Sequence, residues 1–163
     1  MKLKKWLANW DLTGLKINLG ILETEWQPQE KDREAAWELY IEMLTRIVTQ
    51  PLPAEHGDEK TALDSVYALF GITREILKRK GRECVQFSKI AVVVLNQVVR
   101  PFTAKWHKLA LAGALNDEKG RSDFRIELAA LQVVLQNYSK ALAYIAQVED
   151  LTAIAFQETP TNS

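Results

Sequence analysis

The sequence predicts an all-α protein, an antiparallel bundle of about five helices around a central, proline-kinked apolar helix. The segment from Gln86 to Leu111 is apolar on nearly every side, and Ile90-Ala91-Val92-Val93-Val94-Leu95 leaves little room for a solvated face. A helix of that kind has to be surrounded by other elements. Farther on, Phe124, Leu131, Tyr138 and Ile145 repeat every seven residues with Leu128, Leu135 and Leu142 interleaved, an a/d seam held for over three heptads. Short connections between the periodic segments make consecutive helices antiparallel neighbours.

The first segment is ambiguous in its residues. Leu12, Leu15, Leu19, Leu22 and Trp26 recur at helical spacing, yet Leu15, Ile17, Leu19 and Ile21 alternate as a strand would. Gly14 and Gly20 weaken both patterns. Helix is preferred, because a lone strand would have nothing to pair with, and Pro28 ends it. The next helix spans Asp32 to Gln50, with Trp37, Tyr40, Ile41, Leu44, Ile47 and Val48 as its apolar stripe and Glu34, Glu38, Glu42 and Arg46 opposite. Glu42 and Arg46 stand four apart in the favourable order for an ion pair. Pro51 and Pro53 close this helix and open a polar loop.

Asp58 N-caps the third helix, with Glu59 in its first turn. It runs to Lys80 with Leu63, Tyr67, Phe70 and Leu77 on its stripe, ends in three cations and places Gly81 at C′. The apolar central helix follows. Pro101 inside it removes one backbone bond, leaves the Gln97 carbonyl without its usual donor and kinks the axis. Asn116 to Gly120 is a turn, and Ser122 caps the last helix, whose Leu128, Leu131, Leu135 and Leu142 are expected to face Phe87, Val94, Val98 and Phe102. Residues 1–157 form one domain and 158–163 a flexible tail. The last two helices come to about 45 Å each and the second to about 28 Å, so part of the long hairpin is expected to protrude.

Composition narrows the function classes. At 163 residues with 47% hydrophobic and 26% charged content, the chain has the make-up of a soluble globular protein. Lysine plus arginine equals aspartate plus glutamate at 21 each, which argues against a phosphate-gripping nucleic-acid binder. The single Cys84 can form no internal disulfide, and a reduced, cytoplasmic setting fits it. Trp10, Asp11 and Lys16 interrupt any signal-peptide core, and the longest apolar run is six residues, far short of a membrane span.

Neither histidine has a glutamate three residues before it, since Pro53 precedes His56 and Ala104 precedes His107, so no bundle-type metal site or other cofactor is expected. Cys84 sits where a helix dipole could activate it, but a buried structural thiol is the better reading. With no phosphate loop or nucleophile elbow in the sequence, the chain is not expected to be an enzyme.

Two features carry candidate function. Lys89, Asn96, Arg100, Thr103 and His107 share one face of the central helix, and Arg74 falls where the third helix's stripe calls for a hydrophobe. A core-facing cation needs a partner, so Arg74, Asn96, Arg100 and His107 form a candidate site for an anionic small molecule or phosphate. Separately, Trp6, Trp10 and Trp26 crowd the first 26 residues, a segment with little core of its own, and tryptophan is enriched at interface hot spots. Lys2, Lys4 and Lys5 beside them give a weak peripheral membrane contact as the alternative use of that end. The expectation is a non-enzymatic helical subunit or adaptor that assembles with itself or with a larger protein, using Trp6, Trp10 and Trp26 as anchors. The anion-binding module is the runner-up.

Overall fold

In the computed structural model, which describes residues 1–155, every regular element is helical, and the β-type pairing among the described residues is an isolated bridge between Lys2 and Glu25. The flexible tail expected over 158–163 lies outside the described residues. No helix is long and apolar enough to cross a membrane among the described residues.

The chain opens with α1 (Leu3–Ala8) and, after an irregular stretch, α2 (Leu19–Leu22). The helix expected over residues 12–26 does not form. Asp11 takes a left-handed φ of 53° just past α1, and Asn18 Oδ1 accepts the Gly20 N–H at 2.8 Å to start α2 afresh. Between them Leu12 is buried and Leu15 and Ile17 are half-buried, while Leu19 and Ile21 of the alternating set are exposed on α2, so the segment is a strap laid over the helices and neither helix nor strand. The residues around Trp26 pair back with the start of the chain, Leu3 N–H donating to Thr24 O at 3.0 Å and Trp26 N–H to Met1 O at 2.7 Å.

Helix α3 (Glu30–Leu44) is shorter than the expected Asp32–Gln50 and rotated from the expected stripe. Its inner face is Asp32, Ala35, Ala36, Leu39, Tyr40 and Met43, whereas Trp37 and Ile41 are exposed. The two alanines let neighbouring helices approach closely, which large side chains at those positions would prevent. The Glu42–Arg46 pair forms as expected at 2.8 Å. Buried Asp32 works in two directions. One carboxylate oxygen accepts the Gln29 N–H at 2.8 Å and the other accepts the Phe87 N–H at 2.8 Å, tying together the starts of two helices.

Helix α4 (Glu59–Lys80) has the bounds and caps that its residues dictate, with Asp58 accepting the Thr61 N–H at 2.7 Å and Gly81 at φ 83°. Hydrogen bonds from Thr61 hold the Asp58 carboxyl below its usual range. The buried face is again rotated: Ala62, Val66, Leu69, Thr73 and Ile76 join Leu63 and Phe70, while Tyr67 is exposed.

The apolar central segment consists of α5 (Val85–Val94), a π-helical turn over Leu95–Val99 and α6 (Arg100–Leu111). Backbone dihedrals stay right-handed helical at Val94, Leu95, Val99 and Arg100, so the helix neither ends nor breaks before Pro101. The widened turn, in which the Arg100 N–H bonds to Leu95 O, absorbs the proline ring instead of the expected simple kink. Helix α7 (Glu118–Ala146) follows a turn containing Gly113 at φ 85°, and it starts earlier than expected, capped by Asp117 rather than Ser122. A Cβ on Gly120 would fall 1.7 Å from Ala114 O, so only glycine fits this turn. The described chain closes with α8 (Thr152–Ala155).

The a/d seam of α7 is buried along its whole length from Phe124 to Ile145. Its main neighbour is α3, not the central segment. Contact with α6 is confined to the hairpin end, where Phe124 packs on Phe102 (5.5 Å between centroids) and on Trp106 (5.1 Å). Beside the seam, α7 fastens the α3–α4 connection. Arg125 donates to Glu59 at 2.8 Å and to the carbonyls of Leu52, Pro53 and Gly57 at 3.0–3.1 Å, and Gln132 donates to the carbonyls of Ile47 and Gln50 at 2.7 and 2.6 Å.

Asp32→Ala should destabilise the fold by about 3 kcal/mol or more in urea unfolding, because it strands two helix-start N–H groups in the core. Asp32→Asn, which keeps an acceptor oxygen, should cost clearly less.

Candidate functional site

The polar line on the central segment is divided among local tasks. Lys89 Nζ lies 3.3 Å from Thr24 Oγ1 and 3.2 Å from Gln86 Oε1, reaching the chain's first third. Thr103 is buried, with its hydroxyl 3.2 Å from the carbonyls of Val99 and Arg100. Arg100 Nε donates to Asn96 Oδ1 at 3.2 Å, and its guanidinium lies 4.6 Å from the Phe70 ring centroid. His107 stands edge-on to Tyr67 at 4.9 Å, with Nε2 3.9 Å from Asp64.

Arg74 corrects the sequence reading. It is exposed, because Thr73 and Ile76 take the buried positions beside it. No hydrogen bond or ion pair joins it to Asn96, Arg100 or His107 among the described residues, and the hollow it lines with Glu75, Lys78 and Arg79 holds none of the three. The buried cation that would have required an anion is therefore absent from this core.

The tryptophans also move from surface to interior. Trp6 and Trp26 are 2% and 7% exposed, and Trp10 is half-buried. Trp6 lies 4.4 Å from Trp26 and 6.2 Å from Trp10 between ring centroids, while Trp10 packs 5.3 Å from Tyr144 of α7. The expected anchors of an external contact thus serve the chain's own packing, alongside Leu12, Leu15, Ile17 and Leu22 of the strap and α2. Cys84 is the buried thiol that its surroundings suggested: burial first, then the Asp32 carboxylate, push it up to about 12.

A groove that neither feature announced lies between the strap, the π turn and α7. Its volume is about 610 Å³, its floor is Leu12, Leu15, Val98 and Val134, and Asp11, Lys16 and Gln97 provide its polar rim. Gln97 projects from the π turn and clamps the strap through both backbone groups of one residue, its Oε1 accepting the Lys16 N–H at 2.6 Å and its Nε2 donating to Lys16 O. The left-handed Asp11 lines the same groove. Two departures from regular backbone thus meet at one concavity, and such departures concentrate at functional places. The sequence held one signal for it, Pro101, which unsettles helical bonding one turn upstream at Gln97.

Compared with known protein families, curated proteins and solved structures, the chain matches none.

Gln97→Ala should speed hydrogen exchange of the Lys16 amide by at least about tenfold while lowering global stability by only about 1 kcal/mol. Cys84 should resist iodoacetamide at pH 8 in the folded protein and react promptly in urea, since its thiolate is withheld until the fold opens.

Proposed function

We propose that this chain is a non-enzymatic, cytoplasmic interaction subunit, an antiparallel helical bundle that assembles with a second copy of itself through the outward face of α7. The observation that carries this reading is the uncharged strip Ile126, Ala129, Ala130, Val133. Ile126 is 66% exposed and Val133 57%, and the two alanines between them are exposed as well. Exposed apolar residues scattered singly need no explanation, but a contiguous helical face of them does.

A second copy is the favoured occupant because the strip is complementary to itself. In an antiparallel two-fold pairing, Ile126 meets Val133, Ala129 meets Ala130, and the neutral Ser122 meets Asn137. No charge opposes another over about 22 Å of helix. Alanines at the centre permit close interaxial approach, and a two-fold isologous contact is the commonest form of self-assembly. Val133 adjoins Val134, which lies on the groove floor, so the contact can extend toward the strap. Zero net charge adds no long-range repulsion between copies.

Light scattering coupled to size exclusion should give twice the 18.6 kDa chain mass at micromolar concentration. The double variant Ile126→Glu, Val133→Glu should elute as a single chain with its thermal transition retained, because both side chains point outward. A wild-type monomer across the concentration range, or a variant that associates as well as wild type, would overturn the proposal.

A further inference from the structure

The zero net charge of the whole chain conceals a division. Between Ser65 and Asn116 there are nine lysines and arginines against two acids, Glu75 and Glu83. The rest of the chain carries twelve cations and nineteen acids. Three of the nine cations are matched by carboxylates: Arg79 by Glu38 and Glu75, Lys80 by Glu34 and Glu38, and Lys105 by Glu127. Arg74, Lys78, Arg100 and Lys108 are exposed and have no carboxylate partner among the described residues.

These four share one surface. Tyr67, Gly71, Arg74 and Lys78 recur at three- and four-residue spacing along the exposed edge of α4, about 16 Å of helix. Two contacts seat α6 beside that edge: the His107 ring lies 4.9 Å from that of Tyr67, and the Arg100 guanidinium lies 4.6 Å from the Phe70 ring. Phe70 stands one helical turn before Arg74, so Arg100 reaches α4 at the turn next to Arg74. Lys108 follows His107 and continues the row on α6. Arg100 spends Nε on Asn96, and a guanidinium has five N–H donors. Glu75 is turned to Arg79 at 3.9 Å, on the α3 side, and Asp64 at the far end is held by Lys60 at 2.6 Å.

We infer that this face binds a single-stranded polynucleotide, its phosphates along Arg74, Lys78, Arg100 and Lys108 and a base stacked on Tyr67. A row of cations gathered on one face is the electrostatic footprint of phosphate binding, and its local density matters more than the charge of the whole chain. The aromatic ring favours a single strand. Tyr67 is 53% exposed within the row, and an open ring beside cations gives an unpaired base a surface to stack on. A membrane contact would bury aliphatic side chains instead, and the middle of this face offers Gly71 and Ala104. The inference is independent of self-assembly, since it uses no residue of the α7 strip.

Fluorescence anisotropy of the full chain with labelled oligo-dT and oligo-U of about 16 nucleotides tests it. Log K against log salt should fall with a slope of about −3, as four phosphate contacts on a single strand require. Arg74→Gln combined with Lys78→Gln should halve that slope with the melting transition retained, because both side chains are exposed. Tyr67→Ala should weaken binding about fivefold or more at unchanged slope, and Tyr67→Phe should restore it. Lys140→Gln, exposed on α7, should alter neither quantity. Binding of either oligomer on these terms sustains the proposal, and the tighter of the two identifies the sugar. The proposal is overturned if neither oligomer binds at about 50 mM salt, and capture by phosphatidylserine vesicles would then reassign the face to a membrane. It is equally overturned if Lys140→Gln lowers the slope as much as the double variant, or if Tyr67→Ala binds as well as wild type.

Discussion

The Asp32 carboxylate, fully buried, accepts the Gln29 N–H with one oxygen and the Phe87 N–H with the other, so a single charge joins the first turns of α3 and α5. Both N–H groups belong to helix starts, where amides lack intrahelical acceptors and the helix dipoles favour negative charge. Removing a carboxylate from water is costly, and two helix starts converging on it offset that cost. The consequence spreads along the chain. Once the starts of α3 and α5 are pinned together, α4 has to span the distance between the end of one and the start of the other. Cys84, at the N-terminal edge of α5, then lies beside the same carboxylate, which adds to burial in pushing its thiol up.

From the other side, α7 acts as a template for connections that have no regular structure of their own. The polar groups of Arg125 and Gln132 are spent almost wholly on backbone carbonyls between Ile47 and Gly57, the Arg125–Glu59 pair being the exception. At the far end Tyr40 OH accepts the Leu151 N–H at 2.7 Å, so the segment after α7 is secured to α3. Bidentate and multi-carbonyl contacts of this kind fix geometry more than they add net stability. They explain how a connection carrying Pro51 and Pro53 can lie against α7 without stranding its carbonyls. Packing and polar satisfaction thus reside on adjacent faces of one long helix.

Where the relevant physics is local, the residues announced it: the Asp58 cap, the Gly81 stop, the Glu42–Arg46 pair and the seam from Phe124 to Ile145 each depend on neighbours within a few turns. The misplaced stripes share one cause. On α3 and α4 the eye follows Trp37, Ile41 and Tyr67, yet the close contacts are made by Ala35, Ala36, Ala62 and Val66, small residues whose value lies in permitting approach. Arg74 was misread through that same rotation. The candidate sites were less legible still, because the strap's conformation depends on Gln97, some eighty positions away in the chain and turned toward it by a π turn. The capping of Gln29 by Asp32 could have been found from spacing alone, as an acid at the third helical position. Its second bond, to Phe87, could not.

Polar satisfaction elsewhere in this interior sets the N-terminal tryptophans apart. Asp32, Gln132, Thr103 and Ser139 are buried polar residues, and each has a partner within the chain, often the carbonyl one turn back. The exceptions among buried side chains are Tyr138 and the three N-terminal tryptophans. A sequence under pressure only to fill space there had phenylalanine and leucine available, which pack as well and carry no donor. Keeping three indoles retains unmatched donors at a net cost to the fold.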